Sequence, residues 1–124
     1  PEQVAAWTAL GERGIPIVAI RDTPRWEEDI PDCVIRHQDA WTNCGKPRSE
    51  AFAAVNPMLE PGVLPENVIP IDFADVLCDA ERCEPVVGNV LVYRDDDHIS
   101  ATYVRTTAPM LRDMLQATAP WMFR

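Results

Sequence analysis

The sequence predicts an α/β chain with a parallel sheet, and three observations carry that reading. A helical pattern over Glu2 to Arg13 is followed at once by the continuous apolar run Ile15-Pro16-Ile17-Val18-Ala19-Ile20. A second short apolar run, Val68-Ile69-Pro70-Ile71-Asp72, lies beyond a long irregular stretch. A third, Val90-Leu91-Val92-Tyr93, passes through an acidic turn into a helical segment starting at Ala101. Short β-branched runs without alternation suit strands buried on both faces, as in parallel sheets. Helix, short turn and buried strand together form the second half of a βαβ unit.

Each element has a local justification. Val4, Trp7 and Leu10 give the first helix one apolar face, and Gly14 is a natural C-terminal stop. Arg21-Asp22-Thr23-Pro24-Arg25 leaves the carboxyl end of the first strand, where open α/β sheets place ligand sites. Arg21 or Arg25 facing a substrate is one reading of that loop. A capped turn, with Pro24 holding its predecessor extended, is the plainer and favoured one. Residues 26–48 show no period and read as a long loop, with His37 a solvated surface group within it. Ser49 to Val55 reads as a short helix, capped by Ser49, with Phe52 and Val55 inward. Pro70 donates no hydrogen bond, which puts its strand at an edge or a bulge. Phe73 to Leu77 is a turn of helix, and Gly88-Asn89 a tight turn between two short strands. The last helix runs from Ala101 towards Trp121 with Ser100 as N-cap and Val104, Ala108, Leu111 and Leu115 as its core-facing stripe. Pro109, inside it, should kink or split it.

Composition narrows the function. With 47% apolar residues the chain can build a core, and 124 residues fit one domain or part of one. A formal charge of −9 repels phosphate backbones and argues against nucleic-acid partners. No apolar run reaches transmembrane length and no signal peptide is visible. Beginning at Pro1, the chain reads as a processed product or a fragment. Cys33, Cys44, Cys78 and Cys83 fall as two local pairs among loop residues. The local pairing Cys33–Cys44 and Cys78–Cys83 needs the least chain rearrangement, and disulfides imply an oxidising compartment. Free thiols and zinc are the alternatives, the spacings being unlike the usual zinc knuckle.

The chemistry concentrates in Asp95-Asp96-Asp97-His98. Asp95 and His98, three apart on a tight turn, can face the same side, so that the carboxylate orients the imidazole as in the back half of a hydrolytic triad. Asp96 and Asp97 are expected to point to solvent or to cap the coming helix. From spacing alone, an acidic capping turn and a metal site remain open beside catalysis, although the run does not match an EF-hand loop. Neither serine, Ser49 or Ser100, sits in a nucleophile motif.

Tyr93-Arg94-Asp95-Asp96-Asp97-His98-Ile99-Ser100 resembles the final block of the SGNH (GDSL-like) hydrolase superfamily. More narrowly it is similar to the extracytoplasmic SGNH domain fused to acyltransferase-3 membrane proteins, O-acetyltransferases of cell-surface glycans and lipids. Arg21 to Arg25 after the middle strand, Cys33 and Cys44 in the next loop, Ile71-Asp72 leading to Leu77-Cys78, then Cys83 and, after His98, Tyr103 all agree with that family. The resemblance implies a three-layer α/β/α, flavodoxin-like parallel sheet. Residues 1–124 would be the C-terminal portion of a single such domain. It implies that Asp95 and His98 are the catalytic Asp and His, that no cofactor or metal is used, and that the substrate is an acylated carbohydrate or lipid. The family's Gly-Asp-Ser block and its Gly and Asn oxyanion blocks do not occur in this sequence. The nucleophile would then come from the N-terminal part of the same domain or from a companion chain, which would also cover the open sheet edge. The parent protein would be embedded in a membrane, with this domain on the periplasmic or extracellular face. The competing function is a non-catalytic extracytoplasmic module, stapled by two disulfides, that binds a glycan or a protein. A degenerate, inactive family member is the third.

Overall fold

A computed structural model describes residues 2–124. Helix α1 (Glu2–Gly11) leads through a turn, with Gly14 in the left-handed region at φ 73°, into strand β1 (Ile17–Ile20). Strand β3 (Val68–Ile71) pairs with β1 in parallel, Ile17 opposite Val68 and Ile20 opposite Ile71. The expected parallel pairing is therefore present, in a regular register without a bulge. The sheet is two strands wide among the described residues. Asn67 locks α1 to this pair: its side-chain amide donates to the carbonyls of Trp7 and Ile15, at 3.0 and 3.1 Å. Gly11 is required there, because a Cβ would meet the Asn67 side chain at 2.6 Å.

The two edges of this pair differ. The N–H groups of Ile17 and Arg21 donate to Asn67 and Ile71, so the odd-numbered residues of β1 face β3. Val18 and Ile20 consequently direct their backbone groups to the opposite edge, which no strand covers. On β3, Val68 and Pro70 face away from β1. The Val68 N–H turns back to Pro65, and Pro70 has none. Pro70 thus closes the outer edge of β3, whereas the β1 edge stays open. An open groove of about 880 Å³ runs along that edge, with Trp7, Val18, Phe52 and Met58 among its walls.

Phe52 links this groove to the core. Trp26, Ile30, Phe52, Leu77, Val92, Tyr93 and Tyr103 pack there with the Cys78–Cys83 bridge. Residues 26–48 are not a plain loop. They contain α2 (Ile30–Arg36) and a 3-10 turn at Trp41–Cys44 that the Cys33–Cys44 bridge joins to it. The signal was in Asp29-Ile30-Pro31-Asp32: the Asp29 side chain caps the Asp32 N–H, and Pro31 occupies the first turn, where its missing donor costs nothing. His37 ends this helix half-buried, its Nδ1 2.9 Å from the Cys33 carbonyl, rather than standing in solvent. Strand β2 (Lys46–Pro47) pairs antiparallel with β4 (Arg82–Cys83). The short helix α3 covers only Arg48–Ala51 and begins without a side-chain cap, so Ser49 is not its N-cap. Phe52 is buried as expected, but Val55 is exposed, because the chain is already extended at Phe52. Helix α4 (Ala74–Leu77) follows β3, its N-terminus capped by Asp72 Oδ1. Strands β5 (Val86–Val87) and β6 (Val90–Leu91) form the expected hairpin, with Gly88 and Asn89 both at positive φ as a primed turn requires.

Helix α5 (Ala101–Thr118) is capped by Ser100, whose hydroxyl accepts from the Tyr103 N–H. Its buried face differs from the expected stripe. Tyr103 and Thr107 are buried, while Val104 and Ala108 are exposed; Leu111 and Leu115 are half-buried, as expected. The first half of the helix presents a face one residue earlier because the Tyr103 ring enters the core and its hydroxyl reaches the Val76 carbonyl. Thr107 can follow it inward, since its hydroxyl donates to the Val104 carbonyl. Pro109 does not split the helix. It lies on the exposed face, where water can serve the carbonyl that Pro109 leaves without a donor.

Neither bridge leaves a free cysteine among the described residues. From the chain lengths closed, opening Cys78–Cys83 should cost about 2 kcal/mol and opening Cys33–Cys44 about 3 kcal/mol. Thermal denaturation of the paired Cys→Ala variants should show both losses, the larger for Cys33–Cys44.

Candidate active site

Tyr93 is the anchor of the acidic turn. It is fully buried and meets Trp26 edge to face, with ring centroids 5.1 Å apart. Burial pushes the Tyr93 phenol well above its ordinary range, and the Trp26 indole N–H only partly offsets this. The indole and hydroxyl do not reach regular hydrogen-bond geometry, and neither finds another partner among the described residues. Immediately after Tyr93 the chain leaves the core. It returns at Ile99, which bridges Tyr93 in antiparallel fashion, and the Arg94 N–H donates to the His98 carbonyl at 2.9 Å. Ser100 closes the neck. Its N–H donates to Val92 and its hydroxyl to the Leu91 carbonyl, at 2.7 and 2.6 Å.

Inside this loop Asp95 organises the backbone. Its Oδ1 accepts the N–H groups of Asp97 and His98, at 3.0 and 2.7 Å. These two donors hold the Asp95 carboxyl down at a pKa of about 2 against the opposing effect of burial, and the His98 side chain adds a smaller push in the same downward direction. The same carboxylate meets His98 Nδ1 at 3.1 Å through Oδ1 and 3.0 Å through Oδ2. Asp95 therefore shapes the turn and orients the ring at once. The expected pair is brought together. Among the described residues every hydrogen bond and ion pair of the ring runs through Nδ1, which leaves Nε2 to face outward on a side chain that is 61% exposed.

Asp97 departs from expectation. It neither caps α5, which Ser100 does, nor points to solvent. Its Oδ1 lies 2.8 Å from His98 Nδ1 and its Oδ2 3.2 Å from Arg25 Nη2. The loop after β1 docks onto this turn: Thr23 donates its hydroxyl to the Asp97 carbonyl at 2.6 Å, and the Trp26 N–H donates to the Asp96 carbonyl at 2.8 Å. Sequence reasoning missed this docking because the partners are seventy or more positions apart.

The substrate contact considered for Arg21 meets a different arrangement. Its side chain is only 10% exposed. The guanidinium is held by Asp72 at 3.0 Å and by the Ala53 carbonyl at 2.8 Å, and it lies over the Phe52 ring. Arg21 ties β1, β3 and the segment after α3 together, so the capped-turn reading suits it better than a substrate contact. Of the serines, Ser100 is engaged at both ends of its hydroxyl, and Ser49 is exposed on α3 with no hydrogen bond to the acidic turn. The large groove along β1 reaches Arg21, Asp22 and Thr23 but not Asp95 or His98.

Two clusters could in principle meet a cation. Cys33, His37 and Cys44 form one, but both sulfurs are spent in a disulfide. Asp95, Asp97 and His98 form the other, with ligand atoms within 4.8 Å of one another. In that cluster Asp95 meets Nδ1 in hydrogen-bond geometry at 3.0 Å, and Asp97 Oδ1 lies 2.8 Å from the same nitrogen as an ion-pair contact.

The depressed pKa gives a signed expectation. Ionised Asp95 stabilises the folded turn at any pH above its unfolded value of about 3.8, and that contribution is lost only as pH falls through about 2. The Asp95 carboxyl carbon followed by NMR should titrate near 2, and a midpoint near 3.8 would mean that the two backbone N–H groups do not engage it.

Comparisons with known proteins come down to one family. The sequence matches the family described as "SGNH domain (fused to AT3 domains)" over residues 4–113. Searches of curated proteins and of solved structures returned no significant match. No helix among the described residues is long and apolar enough to cross a membrane. The match takes in β1, both disulfides, the docked loop and the Asp95–His98 turn, and the chain belongs to the SGNH domain family found fused to AT3 domains.

Proposed function

We propose that this chain supplies the base half of an acyl-transfer site that acts on acylated cell-envelope glycans or glycolipids. The observation that carries the reading is the Asp95 carboxylate on His98 Nδ1 at 3.0 Å, with Nε2 turned outward, in a chain of the SGNH family. His98 is the general base and Asp95 the residue that orients its ring through Nδ1. A serine from outside these 124 residues attacks the acyl carbonyl, and Nε2 takes the serine proton. The imidazolium forms against Asp95 and then protonates the leaving oxygen as the acyl-enzyme appears. In the second half a sugar hydroxyl, or water, gives its proton to Nε2 and attacks the acyl group, which frees the serine. Transfer and hydrolysis differ in whether water is kept from that second step.

The open β1 edge supports the same reading. Val18 and Ile20 present unpaired backbone groups beside an apolar groove, while Pro70 closes the opposite edge. Further parallel strands of a three-layer α/β/α domain, carrying the serine, would add at β1, from the N-terminal part of the same domain or from a companion chain. The oxidised cysteines suit a periplasmic or extracellular face, and the family's AT3 fusions suit a membrane-embedded parent.

The test is p-nitrophenyl acetate hydrolysis by the protein that contains this chain together with its serine-bearing portion. His98→Ala should lower kcat by about a thousandfold and Asp95→Asn by about a hundredfold or more. The isolated 124-residue chain should hydrolyse the ester no faster than its own His98→Ala variant. Full activity in the intact His98→Ala protein would overturn the reading, as would histidine-dependent turnover by the isolated chain.

A further inference from the structure

His98 Nδ1 can donate a single hydrogen, yet two carboxylates stand at it. Asp95 meets it in hydrogen-bond geometry at 3.0 Å, and Asp97 Oδ1 lies closer, at 2.8 Å, as an ion-pair contact. The two differ in how they are held. Asp95 is fixed by the pair of backbone N–H groups on its Oδ1. Asp97 is held from across the chain. Arg25 takes its other oxygen at 3.2 Å, Thr23 takes its carbonyl at 2.6 Å, and the Trp26 N–H fixes the preceding carbonyl at 2.8 Å. The loop after β1 thus holds the backbone carbonyls of Asp96 and Asp97 through Trp26 and Thr23, and meets the Asp97 carboxylate through Arg25. That is more than a surface turn needs, since Asp95 and the Tyr93–Ile99 bridge already close it.

We propose that Asp97 is a second positioning carboxylate for His98, aimed by Arg25 and Thr23. A small tilt of the ring passes the Nδ1–H from Asp95 to Asp97 without changing the tautomer, so Nε2 remains the free base through the motion. When Nε2 gains a proton, the imidazolium faces two carboxylates instead of one. The β1 loop thereby reaches the reacting histidine, so strands that settle against β1 can adjust its orientation. The inference rests on the acyl-transfer reading for its use in catalysis, but its physical content, two acceptors for one N–H, can be tested without turnover.

The measurement is the imidazole ¹H–¹⁵N correlation spectrum of the 124-residue chain above the histidine titration, with His37→Gln used to assign His98. Asn at position 95 can keep its oxygen on the two backbone donors and turn its amide toward the ring, which opposes the Nδ1–H form. Asp95→Asn should nonetheless retain Nδ1–H as the major tautomer, because Asp97 accepts it. Asp95→Asn with Asp97→Ala should lose it to Nε2–H. Identical Nε2–H spectra for the single and double variants would overturn the proposal. If Asp95→Asn fails to fold, Asp97→Ala and Arg25→Ala decide: each should shift the His98 Nδ1 resonance, and an unmoved resonance in both would overturn it. In the intact protein Asp97→Ala should lower kcat by about tenfold with KM unchanged, a change in the reacting state alone. Loss of the tautomer effect while His98→Ala still abolishes turnover would reject Asp97 and keep the catalytic reading. The tautomer effect with full activity in His98→Ala would do the reverse.

Discussion

The contact between Trp26 and Tyr93 is what the rest of this molecule hangs on. Trp26 belongs to the loop that leaves β1, and Tyr93 to the strand that enters the acidic turn. Their edge-to-face packing brings together segments that are distant in sequence and buries both rings. Once they meet, the Trp26 N–H lies against Asp96, Thr23 against Asp97, and Arg25 beside the Asp97 carboxylate. Lys46, its Nζ 4.7 Å from the centroid of the Trp26 ring, joins the same cluster. A truncation of either ring would therefore disturb the histidine through the backbone rather than by direct contact.

The acidic turn separates two tasks that short loops often confuse. Holding the backbone falls to Asp95 Oδ1, to the Tyr93–Ile99 bridge and to Ser100 at the neck. The His98 ring is anchored at one nitrogen and left without a partner at the other among the described residues. Because ionisation of Asp95 shapes the turn itself, its depressed pKa is a property of the fold as much as of the site. The parallel pair shows a similar division. β3 is closed outward by Pro70, and β1 is left open towards the groove. Such an asymmetry directs further strands to one side only.

Much of the fold was legible because its signals are local. Runs of β-branched residues marked β1 and β3, Gly88-Asn89 marked the hairpin, Ser100 marked the start of α5, and local spacing marked the two bridges. The misses have physical reasons. Helix α2 was hidden because its evidence is a cap and a proline rather than a periodic stripe. The first half of the α5 face, Val104 and Ala108, was read one residue off because counting aliphatic positions ignores a tyrosine whose hydroxyl finds a backbone carbonyl. Val55 was placed inward by extending a helix that stops at Ala51.

At the site the sequence by itself determined the Asp95–His98 pair, because a three-residue spacing on a tight turn leaves few ways for carboxylate and imidazole to avoid each other. It also determined that the chain holds no serine in a nucleophile motif. The tertiary structure alone decided the contacts of Asp97, Arg25 and Thr23, and placed Arg21 in a pairing with Asp72. Those contacts depend on the loop after β1 docking on a turn more than seventy residues away. Local spacing carries no information about such a contact. It exists only once the buried aromatic pair has formed.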